Sequence, residues 1–282
     1  MAKVFRQYEN CDIILIYQPR KNKMTTNILP ESDEMINLRL KNRFAALSTM
    51  TTACTQGVVR SLIVSGKPGV GKSYNVENIL RNLPERLTTS SVSGFVRATG
   101  LFKLLFENKE KGCTIVIDDC DSIFDDVTCL NLLKSATDTK DVRKITWGSE
   151  TKFETEDGEE LPRSFEFHGT VIILTNIDID AASRASNKNA VHISAMLSRS
   201  CYIDLGLNSN RALFLHLQNV VRNGMLSNQN IGYDVECDLL HFVESNLEEL
   251  REISLRTIMK LAALIRIDPK GWKILAQSVV MK

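Results

Sequence analysis

The run Gly66-Lys67-Pro68-Gly69-Val70-Gly71-Lys72-Ser73 constrains this chain more than any other stretch. It fills every fixed position of the pattern G-x-x-x-x-G-K-[ST]. Before it stands a short apolar run, Leu62-Ile63-Val64. After it, residues 74–83 carry apolar side chains at Val76, Ile79, Leu80 and Leu83. These spacings predict a buried strand, a glycine loop and a helix, in that order. Such a loop turns its backbone N–H groups and the positive end of the helix dipole into one concavity, which suits a polyphosphate. Lys72 is expected to reach the β- and γ-phosphates and Ser73 to bind a magnesium ion. The eight loop residues, with Tyr74 directly after them, are the expected nucleotide contacts. A glycine-rich turn that matches by chance is the competing reading, and the filled motif in its proper context weighs against it.

A chain of 282 residues can bury a large core, as one large domain or a large and a small one. Lys and Arg number 35 against 34 Asp and Glu, so overall charge does not announce a nucleic-acid ligand and leaves the partner class open. The seven cysteines are scattered and lack any C-x-x-C pair, which reads as reduced thiols rather than a disulfide framework. Cys113, Cys120 and His192 have no zinc-module spacing and are expected to pack. No apolar run approaches the ~20 residues of a membrane span, and the N-terminus lacks a signal-peptide core. The expectation is a soluble intracellular protein with no membrane partner.

Along the chain, residues 1–40 read as an arm or linker. They contain a possible strand at 11–18, a polar stretch broken by Pro19 and Pro30, and a basic cluster of Arg20, Lys21 and Lys23. Helical spacing starts near Met35. A second strand is expected over 86–92 and an amphipathic helix over 99–110. Between them lie Phe95 and Arg97, which either touch a substrate or, for the phenylalanine, anchor the loop to the core. Residues 113–119 form a second diagnostic stretch, an apolar strand ending in Asp118 and Asp119. Ligands of parallel sheets bind at the carboxyl ends of strands, so both acids should lie beside the phosphate loop. Asp118 is then the magnesium-side acid and Asp119 the base for an attacking water. Asp121, Asp125 and Asp126 are expected to cap helices or face solvent.

A helix is expected over 127–137, then a β-hairpin over 142–167 turning at Asp157-Gly158, with an acidic tip and flanking Lys144, Lys152 and Arg163. Residues 170–176 form another buried strand, ending in Asn176, an amide suited to holding water near the γ-phosphate without adding charge. Arg199 stands just before one more apolar strand. It is a candidate to reach a neighbouring subunit's γ-phosphate, with a surface salt bridge as the alternative and Arg184 as a weaker candidate. Beyond residue 208 the chain reads as a small helical lid with helices over 210–223, 237–245 and 254–265. Arg256 opens the third of them, placed either to fold over bound nucleotide or to face solvent.

Taken in order, these elements resemble the AAA+ ATPases, with residues 66–73 as Walker A, 115–119 as Walker B, Asn176 as sensor 1, Arg199 as arginine finger and Ser254-Leu255-Arg256 as sensor 2. The segment 197–201 is similar to the Ser-Arg-Cys stretch of clamp-loader subunits with one residue inserted. Asp118-Asp119 in place of Asp-Glu, and the hairpin before sensor 1, resemble viral superfamily-three helicases. The resemblance implies an α/β fold: a three-layer P-loop core with a parallel sheet over 41–207, with the hairpin insertion near 142–167, followed by a C-terminal helical lid over 208–282. It implies a Mg2+-dependent ATP hydrolase that assembles with itself as a ring or dimer, with nucleotide at subunit boundaries. The work done is expected on nucleic acid, as a motor or loader in DNA replication. A protein remodeller, or a nucleotide-gated switch that scarcely hydrolyses ATP, are the alternatives. The compact size looks phage-like, which would place the protein in the host cytoplasm.

Overall fold

The computed structural model describes residues 31–148, 154 and 160–282. The expected strand at 11–18, the basic cluster at 20–23 and the acidic hairpin tip at Asp157-Gly158 lie outside the described residues. The chain opens with helix α1 (Asp33–Thr55), started by Ser32, whose hydroxyl accepts from the Met35 N–H at 3.3 Å, with Asp33 and Glu34 at the positive end of the dipole. This helix runs unbroken through Leu40 and Lys41, where the arm was expected to meet the core.

Strand β1 (Ser61–Ser65), helix α2 (Lys72–Leu80), strand β2 (Thr88–Ser93), helix α3 (Ala98–Glu107) and strand β3 (Cys113–Asp118) follow. Helix α4 (Val127–Ala136) starts at Asp126, whose carboxylate accepts from the Thr128 and Cys129 N–H groups. Short strands β4 (Lys144–Thr146) and β5 (Ser164–Glu166) precede β6 (Thr170–Thr175). Helices α5 (Ile179–Ser183) and α6 (Ala190–Leu197) then lead to β7 (Cys201–Asp204).

Five strands make one parallel sheet in the order β2-β3-β6-β1-β7. Parallel sheets are stable when both faces are covered, and the strand residues show how this is achieved. Leu62, Val64, Val116, Ile172, Leu174 and Ile203 point to one face, where they meet α1, α2 and the C-terminal helices. Ile63, Ile115, Ile117, Val171 and Ile173 point to the other, against α3, α4 and α6. The two-residue alternation of side chains thus divides a continuous apolar run between two cores and gives a three-layer α/β fold.

The hairpin base pairs Ile145 with Phe165 in antiparallel register, and further out Glu154 bridges Glu160. Phe165 packs against Phe102 and Phe106 of α3, each with ring centroids 5.3 Å away. The insertion is therefore rooted in the second core.

After β7 the chain is helical: α7 (Asn210–Val220), α8 (Tyr233–Ser245), α9 (Leu255–Ile267) and a further helix, α10 (Trp272–Val279). Sequence periodicity did not predict α10, an eight-residue helix that begins shortly after the break at Pro269. These helices share the first core with α1 and the sheet. Arg211 of α7 joins them, donating to Asp33 of α1 at 2.9 Å and to Glu244 of α8 at 2.6 Å. Ile63, fully buried at the sheet centre, is expected on truncation to alanine to lower folding stability by about 2–5 kcal/mol in denaturant titration.

Candidate functional site

The registers align three strand ends. Ser65 of β1 stands opposite Thr175 of β6, and Leu174 of β6 opposite Asp118 of β3. The residues that follow each strand therefore emerge along one edge, at the carboxyl end where parallel sheets bind ligands. From β1 emerges the loop 66–73, from β3 Asp119, and from β6 Asn176.

The loop is shaped by backbone that favours glycine. Gly69 and Gly71 have φ of +69° and +93°, in the left-handed region open to residues without a side chain. Space is equally restrictive, since a methyl group on Gly69 would lie 2.7 Å from Ser254 Cβ. The segment expected to be sensor 2 is thus packed on the phosphate loop, and the Leu255 N–H donates to the Gly69 carbonyl at 2.9 Å.

Lys72 is 7% exposed and gives its ammonium protons to Gly66 O at 2.6 Å, Lys67 O at 3.1 Å and Asn176 Oδ1 at 2.8 Å. Asn176 in turn donates through Nδ2 to Asp119 Oδ1. One chain of hydrogen bonds therefore joins the loop lysine, the β6 amide and the second acid of β3. Burial lowers the pKa of Lys72, while Asp119, Asp118 and Asp121 oppose that shift and the Arg256 charge adds to it. The pKa of Asp118 is raised, first by burial and then by Asp119, against the pull of the nearby Ser73 hydroxyl and Lys72. Asp119 has φ +56°, rare for a residue with a side chain. Its N–H is tied to Leu174 O at 3.1 Å, so the neighbouring strand end holds the unusual backbone in place.

Of the residues singled out from sequence, Lys72, Ser73, Asp118, Asp119 and Asn176 are brought together. Arg256 is exposed, yet near enough for its charge to act on Lys72. Tyr74 is exposed at the start of α2. Arg199 follows α6, where its Nη1 donates to Ala195 O at 2.7 Å, and it stands apart from this edge. Arg184 is held in a surface ion pair with Asp180 at 2.6 Å. Phe95 does not anchor its loop: it is 65% exposed, with the Arg97 guanidinium 5.9 Å from the ring centroid. Cys120 is buried beside the acids, and burial together with Asp118, Asp119 and Asp121 pushes its thiol up to about 11, which keeps it protonated and inert.

Two contributors escaped the sequence reading. Asp121 faces inward, accepting from the Thr175 hydroxyl at 2.5 Å, where solvent or a helix cap was expected. Its place three residues after Asp118 is the one signal available. His216 of α7 is 6% exposed, lies 2.8 Å through Nε2 from the Val70 carbonyl and stacks on Phe44 at 4.5 Å. A carbonyl only accepts, so Nε2 carries a proton; burial lowers the ring's pKa. Nothing in its helical spacing distinguishes it from a packing residue. Beside the loop a crevice of about 270 Å³ is lined by Lys67, Pro68, Leu213, Arg251, Glu252 and Lys282.

Residues 62–146 match the ATPase family associated with various cellular activities, AAA. An uncharacterised 36.7 kDa protein of the nrdC-mobD intergenic region of Enterobacteria phage T4 is 34% identical over 249 residues, covering 87% of this chain and 76% of the phage protein. The chain belongs to the AAA family of P-loop ATPases. Family membership brings nucleotide binding with it, and the matched segment contains both the phosphate loop and the acids of β3. Solved structures similar to this AAA chain include a point mutant of Thermotoga maritima RuvB, at 14% identity and TM-score 0.47 over 88% of this chain and 70% of that one. C. elegans PCH-2 is similar at 13% identity and TM-score 0.36, over 83% and 63%. Among the described residues no helix is long and apolar enough to cross a membrane.

Alanine at Gly69 combines a left-handed backbone, worth roughly 1–2 kcal/mol against a side chain, with the contact at Ser254. Gly69→Ala is expected to lower the midpoint of thermal unfolding and to weaken nucleotide binding together, as read by calorimetry with and without ATP.

Proposed function

We propose that this AAA protein hydrolyses ATP with Mg2+ at the edge formed by the loop 66–73, Asp118, Asp119 and Asn176. The observation that carries the reading is the hydrogen-bond chain Lys72–Asn176–Asp119. It joins, within one site, a cation for the terminal phosphates, an uncharged amide and a carboxylate base. The loop 66–73, through backbone N–H groups other than those of Pro68, which has none, and Gly66, which donates to Thr175 O, holds the phosphates together with Lys72. Asp119 takes a proton from the attacking water while Asn176 orients it, the oxygen bonds to the γ-phosphorus, and ADP departs. Ser73 and Asp118 are hard oxygen donors close enough for the Ser73 hydroxyl to act on the Asp118 pKa, a pair suited to Mg2+, which would neutralise phosphate charge. Arg256, at the start of α9, reports nucleotide to the lid over 208–282 through the contact of Leu255 with Gly69.

Arg199 serves a neighbouring subunit's nucleotide in this reading, which makes the active form a dimer or ring. Work on DNA, as a motor or loader in replication, is supported by the resemblance of residues 197–201 to clamp-loader subunits and of the Asp118-Asp119 pair and hairpin to viral helicases. The exposed Phe95 with Arg97 over its ring favours a second reading, in which a protein chain is the substrate.

Lys72→Ala should abolish ATP binding or turnover, and an active variant would sink the assignment of the loop. Arg199→Ala should cut turnover by about 10³-fold or more while leaving ATP binding intact. Turnover of the wild-type protein should rise with single-stranded DNA and lose that response as salt increases. Indifference to DNA at low salt would shift the assignment to a protein substrate.

A further inference from the structure

Three basic side chains meet on the sheet face opposite α2. Lys134 projects from α4, His192 from α6, and Arg199 from the turn before β7. Lys134 Nζ lies 2.7 Å from His192 Nδ1. An ammonium group can only donate, so Nδ1 accepts and the imidazole carries its proton on Nε2. All three side chains are half-buried. Burial lowers the pKa of Lys134, and the nearby Arg199 charge lowers it further. Among the described residues no carboxylate pairs with Lys134 or Arg199, whose Nη1 is satisfied only by the Ala195 carbonyl. Charges half-removed from water are normally paired, so this cluster calls for an anion from outside the fold.

The chain's own phosphate loop cannot supply that anion. Cys201, two residues after Arg199, pairs with Leu62 near the start of β1, whereas the loop begins after Ser65 at the other end of that strand. At roughly 3.3 Å per residue, the cluster and the loop are separated by about a strand's length along the sheet. They also lie on opposite faces, since α4 and α6 pack in one core and α2 in the other.

We propose that Lys134, steered by His192 and working beside Arg199, receives the terminal phosphate of a nucleotide held by a second copy of this chain. The assignment rests on the reading of Arg199 as a residue that acts across a subunit boundary, and extends it to a second cation and a positioning imidazole.

The test mixes variants damaged in different halves of the same site. Lys72→Ala has a disabled loop and an intact cluster; Lys134→Ala has an intact loop and a damaged cluster. Each alone should turn over ATP at least tenfold more slowly than wild type, with Lys134→Ala binding ATP normally. An equimolar mixture should recover about a quarter of wild-type turnover, the share of boundaries at which an intact loop meets an intact cluster. Lys134→Arg should restore much of the rate. If the Lys72→Ala and Arg199→Ala pair recovers turnover while the Lys134→Ala pair does not, the Lys134 assignment fails and the Arg199 reading stands. If neither mixture recovers, both fail, and wild-type turnover by Lys134→Ala alone also overturns the proposal. Should Lys134→Ala not fold, Lys134→Gln takes its place in the same mixtures. Should the wild type itself turn over no ATP, the hydrolytic reading falls. The Lys134 assignment, which needs a terminal phosphate transferred across the boundary, falls with it.

Discussion

The position of one buried ammonium group governs the site. Lys72 is held by two loop carbonyls and by Asn176, and its charge is sustained against burial by Asp119, Asp118 and Asp121. A lysine so far removed from water would be costly alone. It is tolerated because three parallel strands end at the same level and deliver carboxylates and an amide around it. The same arrangement accounts for the acids: Asp118 and Asp119 repel each other, and Lys72 offsets that repulsion. Sheet order, strand alternation and loop geometry all serve to bring these opposing charges within reach of each other.

The C-terminal helices are coupled to this centre through backbone. His216 bonds to the Val70 carbonyl, and the Leu255 N–H bonds to the Gly69 carbonyl, so two lid helices grip consecutive loop residues. A change in loop shape on binding phosphate would be felt at both contacts. Arg211 extends the connection to α1 and α8. The phosphate loop is therefore joined to the C-terminal helices, and through them to α1, by direct hydrogen bonds.

Much of the core was legible in the sequence because its signals are local. The loop motif, the apolar run ending in Asp118 and Asp119, and the run ending in Asn176 each combine a buried parallel strand with a polar terminus, and the sheet places all three together. What escaped depends on contacts far apart in sequence. His216 looks like any residue of an amphipathic helix until α7 is laid on the loop, and Asp121 looks like a cap until Thr175 is seen opposite it. Phe95 was balanced between anchor and contact because its spacing is silent about exposure. Helix α10 was missed because Pro269 and Gly271 dominate the local signal. The cluster of Lys134, His192 and Arg199 draws on α4, α6 and the turn before β7, and only packing reveals it.

The central claim is that Asp119 acts as a base in a site that binds ATP by other means. Single-turnover kinetics on Asp119→Asn, with ATP affinity measured on the same protein, tests it most directly. The amide is close in size to the carboxylate and cannot take a proton from water, so ATP should bind with wild-type affinity while cleavage slows by about 10²–10⁴-fold. Cleavage at the wild-type rate with unaltered binding would contradict the account and leave the Lys72–Asn176–Asp119 chain a structural feature alone.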